Sequence, residues 1–171
     1  MEFTQDDYRE AEDTHRMLTN LDRLESEETE ELIDDVYSKQ PFLVSLILGY
    51  KTAFREERSV EITKLILLVY QYFELKNLIG EEQITPELFE RKQQKNISLA
   101  EYAGSDADEN EKVEKVTADI LGLKSIVLLA CVWVAFDAKK PLMYMSMDDQ
   151  EPVLMALKSL IECFEELSGE K

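Results

Sequence analysis

The sequence predicts an all-α fold, in which about six or seven helices form a single globular domain over residues 1–171, as an orthogonal array or an irregular bundle. Apolar residues recur at helical spacing, for example along Phe42–Phe54. The β-branched residues do not alternate with polar ones, and five glycines and four prolines are few for a sheet protein. Hydrophobic residues make up 44% of the chain, which is enough to build a core.

Two apolar segments, Leu65–Phe73 and Ile126–Phe136, are predicted to be the core helices. The second belongs to the run Ile120–Phe136, in which Lys124 and Ser125 are the polar interruptions. A helix that is apolar on every side must be surrounded by protein or by lipid. Its uninterrupted part is shorter than the roughly 20 residues that cross a bilayer, and charged residues flank it. We therefore expect a buried core helix and no membrane segment.

The N-terminal sequence MEFTQDDYRE is acidic, whereas a secretory signal peptide begins with a basic region. This predicts a soluble, cytoplasmic protein. Cys131 and Cys163 each fall within an apolar stripe, so we expect two reduced core cysteines in place of a disulfide.

Cap residues predict where the helices of the first half begin. Thr4, followed by Asp7, is expected to cap the first helix, and Ser26 the second. Pro41 starts a third helix, because proline is favoured at the first helical position. Ser59 is expected to cap a fourth helix, and the short link before it predicts that the third and fourth helices form an antiparallel hairpin.

The second half begins with a fifth helix at Thr85-Pro86, which Ser98 is expected to restart after a polar stretch. The segment Gly104–Glu111 reads as a loop, within which Ser105 or Asp106 would cap one long helix that continues to Phe136. Asp148 is expected to cap the final helix. The residues of this helix predicted to face water are Lys158, Glu162, Glu165 and Glu166.

The net charge of −18 is unevenly distributed along the chain. Residues 1–40 hold 14 acids and 4 bases, whereas residues 41–80 hold 4 acids and 5 bases. Residues 1–38 are therefore predicted to form an acidic N-terminal lobe packed on a core of residues 40–168. Such a surface repels phosphate backbones and attracts basic proteins, so we expect no direct nucleic-acid binding and a basic protein partner.

Carboxylates of the second predicted helix are the first candidate interaction residues. They lie on adjoining helix faces, where they could contact a basic partner, share a proton or a cation, or simply be solvated. These residues are Glu27, Glu28, Glu30, Glu31, Asp34 and Asp35.

Met143, Met145 and Met147 form a second candidate, because half of the six methionines lie within five residues. Thioether side chains fill irregular gaps in a core, adapt to varied partners, or bind soft copper ions. If the methionines fill gaps in the core, they have no separate function. If they adapt to varied partners, they belong with the acidic residues of the second helix as candidate partner-binding residues.

A basic cluster of Lys51, Arg55, Arg58 and Lys64 could pair with the acidic lobe of the same molecule or of a second copy. The sequence is compatible with a homodimer whose interface contains this cluster, Tyr50 and Phe54. It is equally compatible with Tyr50 and Phe54 lying in the core of a single chain.

The sequence offers no catalytic residues, metal site or cofactor site. Glu12 and His15 have the spacing of a di-iron ligand pair, but His15 is the single histidine of the chain and a second pair cannot exist. Asp106, Asp108 and Asn110 resemble the start of a calcium loop that lacks its glycine and its closing glutamate. No glycine-rich phosphate loop is present.

These observations predict a non-enzymatic interaction protein, such as an adaptor, an inhibitor or an immunity-type protein, that binds a basic partner. In one version, the acidic face mimics nucleic acid toward a DNA- or RNA-binding protein. The competing class is a metal-binding protein or hydrolase that depends on carboxylates.

Overall fold

The computed structural model describes residues 4–169, and all regular structure within this range is α-helical, as predicted. The described residues form nine helices, against the six or seven expected. They are α1 (Gln5–Leu21), α2 (Ser26–Lys39), α3 (Pro41–Ala53), α4 (Glu56–Leu75), α5 (Pro86–Ala103), α6 (Glu109–Leu121), α7 (Ile126–Ala138), α8 (Lys140–Met143) and α9 (Met147–Ser168).

Helix α4 lies at the centre of the molecule. Each residue from Leu65 to Tyr70 is buried, and so are Tyr72 and Phe73. The helix contacts α1, α3, α7, α8 and α9, and these five helices enclose its apolar segment. Phe73 stacks on Phe164 of α9 with ring centroids 4.8 Å apart, so the central helix is joined directly to the last one.

The long helix predicted to reach Phe136 is broken. Helix α6 ends at Leu121, and α7 begins at Ile126 in a direction that differs by 106°. Contrary to expectation, α7 is not buried all round: Trp133 is 36% exposed and Val134 70%. Helices α1, α4, α8 and α9 contact α7, and they leave one of its sides uncovered. The apolar composition of α7 therefore did not predict how much of the helix is buried.

Helix α1 begins as predicted, with the Thr4 hydroxyl accepting a hydrogen bond from the Asp7 amide at 3.2 Å. The buried residues of this helix are Thr14 and Leu21, whereas His15 is exposed. Helix α2 is capped by Glu25 in place of Ser26.

Several other boundaries differ from those predicted. Helix α4 begins at Glu56, and the Ser59 hydroxyl donates to the Glu56 carbonyl oxygen inside its first turn. The shorter link still gives the predicted hairpin, since α3 and α4 pack together. Helix α5 begins at Thr85-Pro86 as predicted but runs through Ser98 without a break. The hydroxyl of Ser146, and not Asp148, caps α9.

Lys158 and Glu162 of α9 were predicted to face water, and this was wrong. Lys158 is 7% exposed and Glu162 4%, because α5 packs along this side of α9 and covers both side chains. The facing part of α5 contains the polar segment Arg91–Asn96, so the contact between these helices is polar where an apolar one would be usual.

Within residues 4–169, no single helix is long and apolar enough to span a membrane. Helices α6 and α7 reach the required length and composition only when taken as a pair, which the 106° bend interrupts.

We expect Phe164→Ala to lower the free energy of unfolding by about 3–5 kcal/mol, because it leaves a cavity beside Phe73 in the centre of the core. Urea denaturation followed by circular dichroism measures this change. Val134→Ala is the control, since this side chain is 70% exposed and its truncation should cost less than about 0.5 kcal/mol. Equal losses in the two variants would contradict the position given to α4 and α9.

Candidate functional site

The predicted acidic residues of α2 lie on its exposed side. Glu27, Glu30, Glu31 and Asp34 are all exposed, and none of them forms an ion pair with another described residue. Their spacing places them side by side along one helix face. Glu28 is also exposed but has a local role, because its carboxylate accepts the Glu25 backbone N–H at 2.9 Å. The α2 acidic strip is defined here as Glu27, Glu30, Glu31 and Asp34.

Asp35 lies apart from this strip and serves the fold. Its carboxylate accepts a hydrogen bond from the Tyr70 hydroxyl at 2.7 Å and pairs with the Lys39 ammonium at 2.9 Å. Burial alone would raise the pKa of Asp35, but Lys39 and Tyr70 outweigh it and hold the pKa below 3.8. Lys39 also pairs with Glu74 of α4. These contacts fix the C-terminal half of α2 to α4.

A cleft of about 410 Å³ separates the N-terminal half of α2 from α4. Its apolar floor and walls include Leu21, Leu24, Ile33, Val60 and Leu67. Leu21 and Leu67 are buried, whereas Val60 is 41% exposed within the open part. The contacts of Asp35 and Lys39 with α4 lie toward the C-terminal end of α2, and the cleft lies between the two helices at the other end.

The charges around the cleft come from α2, α3, α4 and the link between α1 and α2. Glu30 of α2 and Lys51 of α3 line it, and both are free of ion pairs with any described residue. Asp22 and Lys64 also line it, but they pair with each other at 3.1 Å. The uncompensated charge is therefore negative on the α2 side and positive at the end of α3.

The predicted basic cluster is divided among different environments. Lys64 pairs with Asp22 and, at 3.0 Å, with Glu61, while Lys139 pairs with Asp22 at 2.5 Å. This network ties the end of α1 to α4 and to the α7–α8 link. Arg58 instead reaches the Tyr144 carbonyl oxygen at 3.4 Å. The cluster does not form one continuous basic surface.

Tyr50 and Phe54, considered for a dimer interface, pack against the hydrophobic core. Their rings stack with centroids 6.0 Å apart, and burial raises the pKa of Tyr50 to about 12. The core alternative explains these residues without a second copy of the chain.

The three clustered methionines have different positions. Met145 is 5% exposed and belongs to the core, so it is not available to a partner in this fold. Met143 and Met147 are exposed, as is Tyr144 between them. The gap-filling role therefore fits Met145, and any contact surface at this end consists of Met143, Tyr144 and Met147.

A buried polar network between α5, α6 and α9 was not predicted from the sequence. The Lys158 ammonium lies 2.9 Å from Glu162 and 2.7 Å from Asp119, and it also donates to the Asn96 side-chain carbonyl. Lys95 bridges the same carboxylates at 2.5 Å from Asp119 and 2.9 Å from Glu162. The Asn96 side-chain amide also donates a hydrogen bond to the Glu162 carboxylate, at 2.8 Å. The network contains two ammonium groups and two carboxylates, so its net charge is zero.

The network holds helix α6, which has no buried residue of its own. Burial alone would raise the pKa of Asp119, but Lys158 and Lys95 hold it below 3.8. The signals that could have revealed the network were the Lys158–Glu162 spacing on one helix face and the absence of apolar residues from Arg91–Asn96. Both signals are common on solvated helices, so they did not distinguish a buried face from an exposed one.

No group of three or more His, Cys, Asp or Glu side chains in the described part of the chain is arranged to hold a metal ion. The carboxylate of Asp108, and not Ser105 or Asp106, caps α6 through bonds to the amides of Asn110 and Glu111 at 2.9 and 3.2 Å. Cys163 is a free, buried thiol whose pKa burial raises to about 12, which makes it a poor nucleophile.

Comparison of the chain with protein-family models, with curated proteins and with solved structures finds no significant match.

We expect Lys158→Ala to reduce the free energy of unfolding by about 3–5 kcal/mol, because it leaves the buried carboxylate of Glu162 and the partly buried one of Asp119 with Lys95 as their remaining cation. Lys140→Ala is the matched control, since this lysine is exposed and forms no described ion pair. The double variant Lys158→Met with Asp119→Leu should recover much of the loss, because one charge of each sign is removed. Urea denaturation measures all three. A small loss in Lys158→Ala would contradict the buried network.

The lowered pKa of Asp119 also predicts a pH dependence. A carboxyl group with a lower pKa in the folded state stabilises the fold above its unfolded pKa, and this contribution is lost as the pH falls through the folded pKa. The stability difference between the native chain and Asp119→Asn should therefore be constant down to about pH 5 and should shrink toward about pH 3. Urea midpoints across this range provide the measurement. A difference that stays constant to the lowest pH would show that Asp119 is not stabilised as an anion.

Proposed function

We propose that this protein is a non-enzymatic interaction module whose acidic lobe, residues 1–38, binds a basic protein partner. The lobe is carried by an irregular array of helices, and its contact surface is the α2 acidic strip. The exposed residues Met143 and Met147 form a second, smaller contact surface in this proposal.

The observation that carries the proposal is the contrast between the α2 acidic strip and three carboxylates that hold the fold together. Asp22, Asp35 and Asp119 have cationic partners within the fold, and their pKa values are lowered. The residues of the α2 acidic strip are free of such partners among residues 4–169, although they lie side by side on one helix. Like charges so close together repel, and a basic partner relieves that repulsion.

The carboxylate-dependent metal protein or hydrolase receives less support. Metal sites need converging ligands, and catalytic carboxylates need an environment that separates their pKa values. The free carboxylates of α2 are spread along the outside of a helix. The partly buried Asp119 and the buried Glu162 are paired with lysines.

Neutralising the strip with Glu27→Gln, Glu30→Gln, Glu31→Gln and Asp34→Asn should weaken binding of a peptide of alternating Lys and Gly by about fivefold or more, since each exposed pair contributes a few tenths of a kcal/mol. Isothermal titration calorimetry measures the affinity at low salt, and added salt should reduce it.

The matched control removes the same charge elsewhere, through Glu90→Gln, Glu101→Gln, Glu111→Gln and Glu114→Gln. These residues are exposed and also lack ion pairs within the described chain. If both quadruple variants lose affinity equally, the peptide responds to net charge alone, and the proposed surface on α2 loses its basis.

A further inference from the structure

We infer that the cleft between α2 and α4 receives the apolar face of a cationic amphipathic helix of the partner protein. This inference rests on the proposed function, and it adds the shape and chemistry of the segment that binds. The occupant is a helix with apolar residues on one side and lysine or arginine on the flank that meets α2.

The geometry of the cleft favours a helix. Its walls are formed by Ser26, Thr29, Glu30 and Ile33 of α2 and by Val60, Thr63, Lys64 and Leu67 of α4. Each set repeats at the spacing of one helix face over about two turns, so two helical stripes face each other across the opening. An amphipathic helix inserts its apolar side chains into such a groove at matching intervals. The volume of about 410 Å³ lies within the range of pockets that bind organic groups.

The apolar lining gives the cleft a driving force for binding. Val60 is 41% exposed although Ile62 and Thr63 after it are buried, and Leu24 and Ile33, which also line the cleft, are half-buried. Covering these side chains with a partner's apolar residues removes their remaining surface from water, which is favourable. An acidic strip alone would attract any cation, whereas this lining selects cations that also carry apolar groups.

Charge complementarity decides the sign of the partner. Around α2, Glu30 lies at the edge of the cleft, and Asp34, Glu27 and Glu31 follow outward from it. The cations that face the cleft are Lys64, which is neutralised by Asp22 and Glu61, and Lys51, which has no described ion pair and stands on the α3 side. A bound helix therefore meets negative charge along α2 and one positive charge opposite, so its basic residues belong on the α2 flank.

The test uses the full chain and two synthetic peptides of equal charge. One is a helix of Leu and Lys about 14 residues long, which spans roughly four turns, with its leucines on one face. The other is the alternating Lys and Gly peptide, which has the same number of lysines and no apolar side chains. We expect the amphipathic peptide to bind roughly tenfold more tightly, because burial of one leucine-sized side chain provides at least that factor.

Two variants of the same residue test the cleft itself. Val60→Asn makes the lining polar, and Val60→Trp fills the space, and neither changes the charge. Both should remove the advantage of the amphipathic peptide while leaving the affinity for the Lys and Gly peptide unchanged. In an NMR titration of the native protein, the amphipathic peptide should shift the amide signals of Leu24, Ile33, Val60 and Leu67.

The outcomes separate this inference from the proposed function. Equal affinity for both peptides, with loss of both in the α2 neutralised variant, overturns the cleft and leaves the acidic surface in place. Affinity that does not depend on the α2 strip overturns both. The cleft could instead be filled by a second copy of the chain, which sedimentation velocity of the native chain would detect as a dimer. A dimer that Val60→Trp dissociates would overturn the inference.

Discussion

From Leu65 to Tyr70, helix α4 contains no charged residue and exposes none of its surface to water. A helix of this composition is stable in water only when other helices enclose it. Helices α1, α3, α7, α8 and α9 take these positions, and α5 reaches the core by packing on α9. The positions of most other elements follow from the enclosure of this one segment.

Charged residues add further contacts between the outer helices and the rest of the fold. Helix α6 buries no residue and is attached through Asp119 to Lys95 and Lys158. The end of α1 is attached through Asp22, and α2 through Asp35. Buried ion pairs add little net stability compared with apolar contacts, but breaking one is costly, so they define position more than they add free energy. In this chain they supplement the packing of α1 on α4 and α7 and of α2 on α3.

The cleft lies beside the end of α2 that these ion pairs do not reach. Asp35 and Lys39 hold one end of α2 against α4, and the residues of the α2 acidic strip have no ion-pair partner among residues 4–169. An apolar lining and a free acidic strip therefore occur next to each other. The same asymmetry that leaves α2 incompletely packed provides the surface on which the proposed function depends.

Local patterns were enough to predict the helical class, the core position of Leu65–Phe73 and the caps at Thr4 and Thr85, since helical spacing and capping involve residues a few positions apart. The excess of acidic residues in residues 1–40 could also be counted directly from the sequence. Local patterns did not predict the solvent exposure of α7, the burial of Lys158 and Glu162, or the space beside Val60. Burial depends on which distant helix covers a face, and local spacing does not contain that information. A lysine and a glutamate one turn apart have the same spacing on a solvated helix and against α5, and only the tertiary contact decides between them.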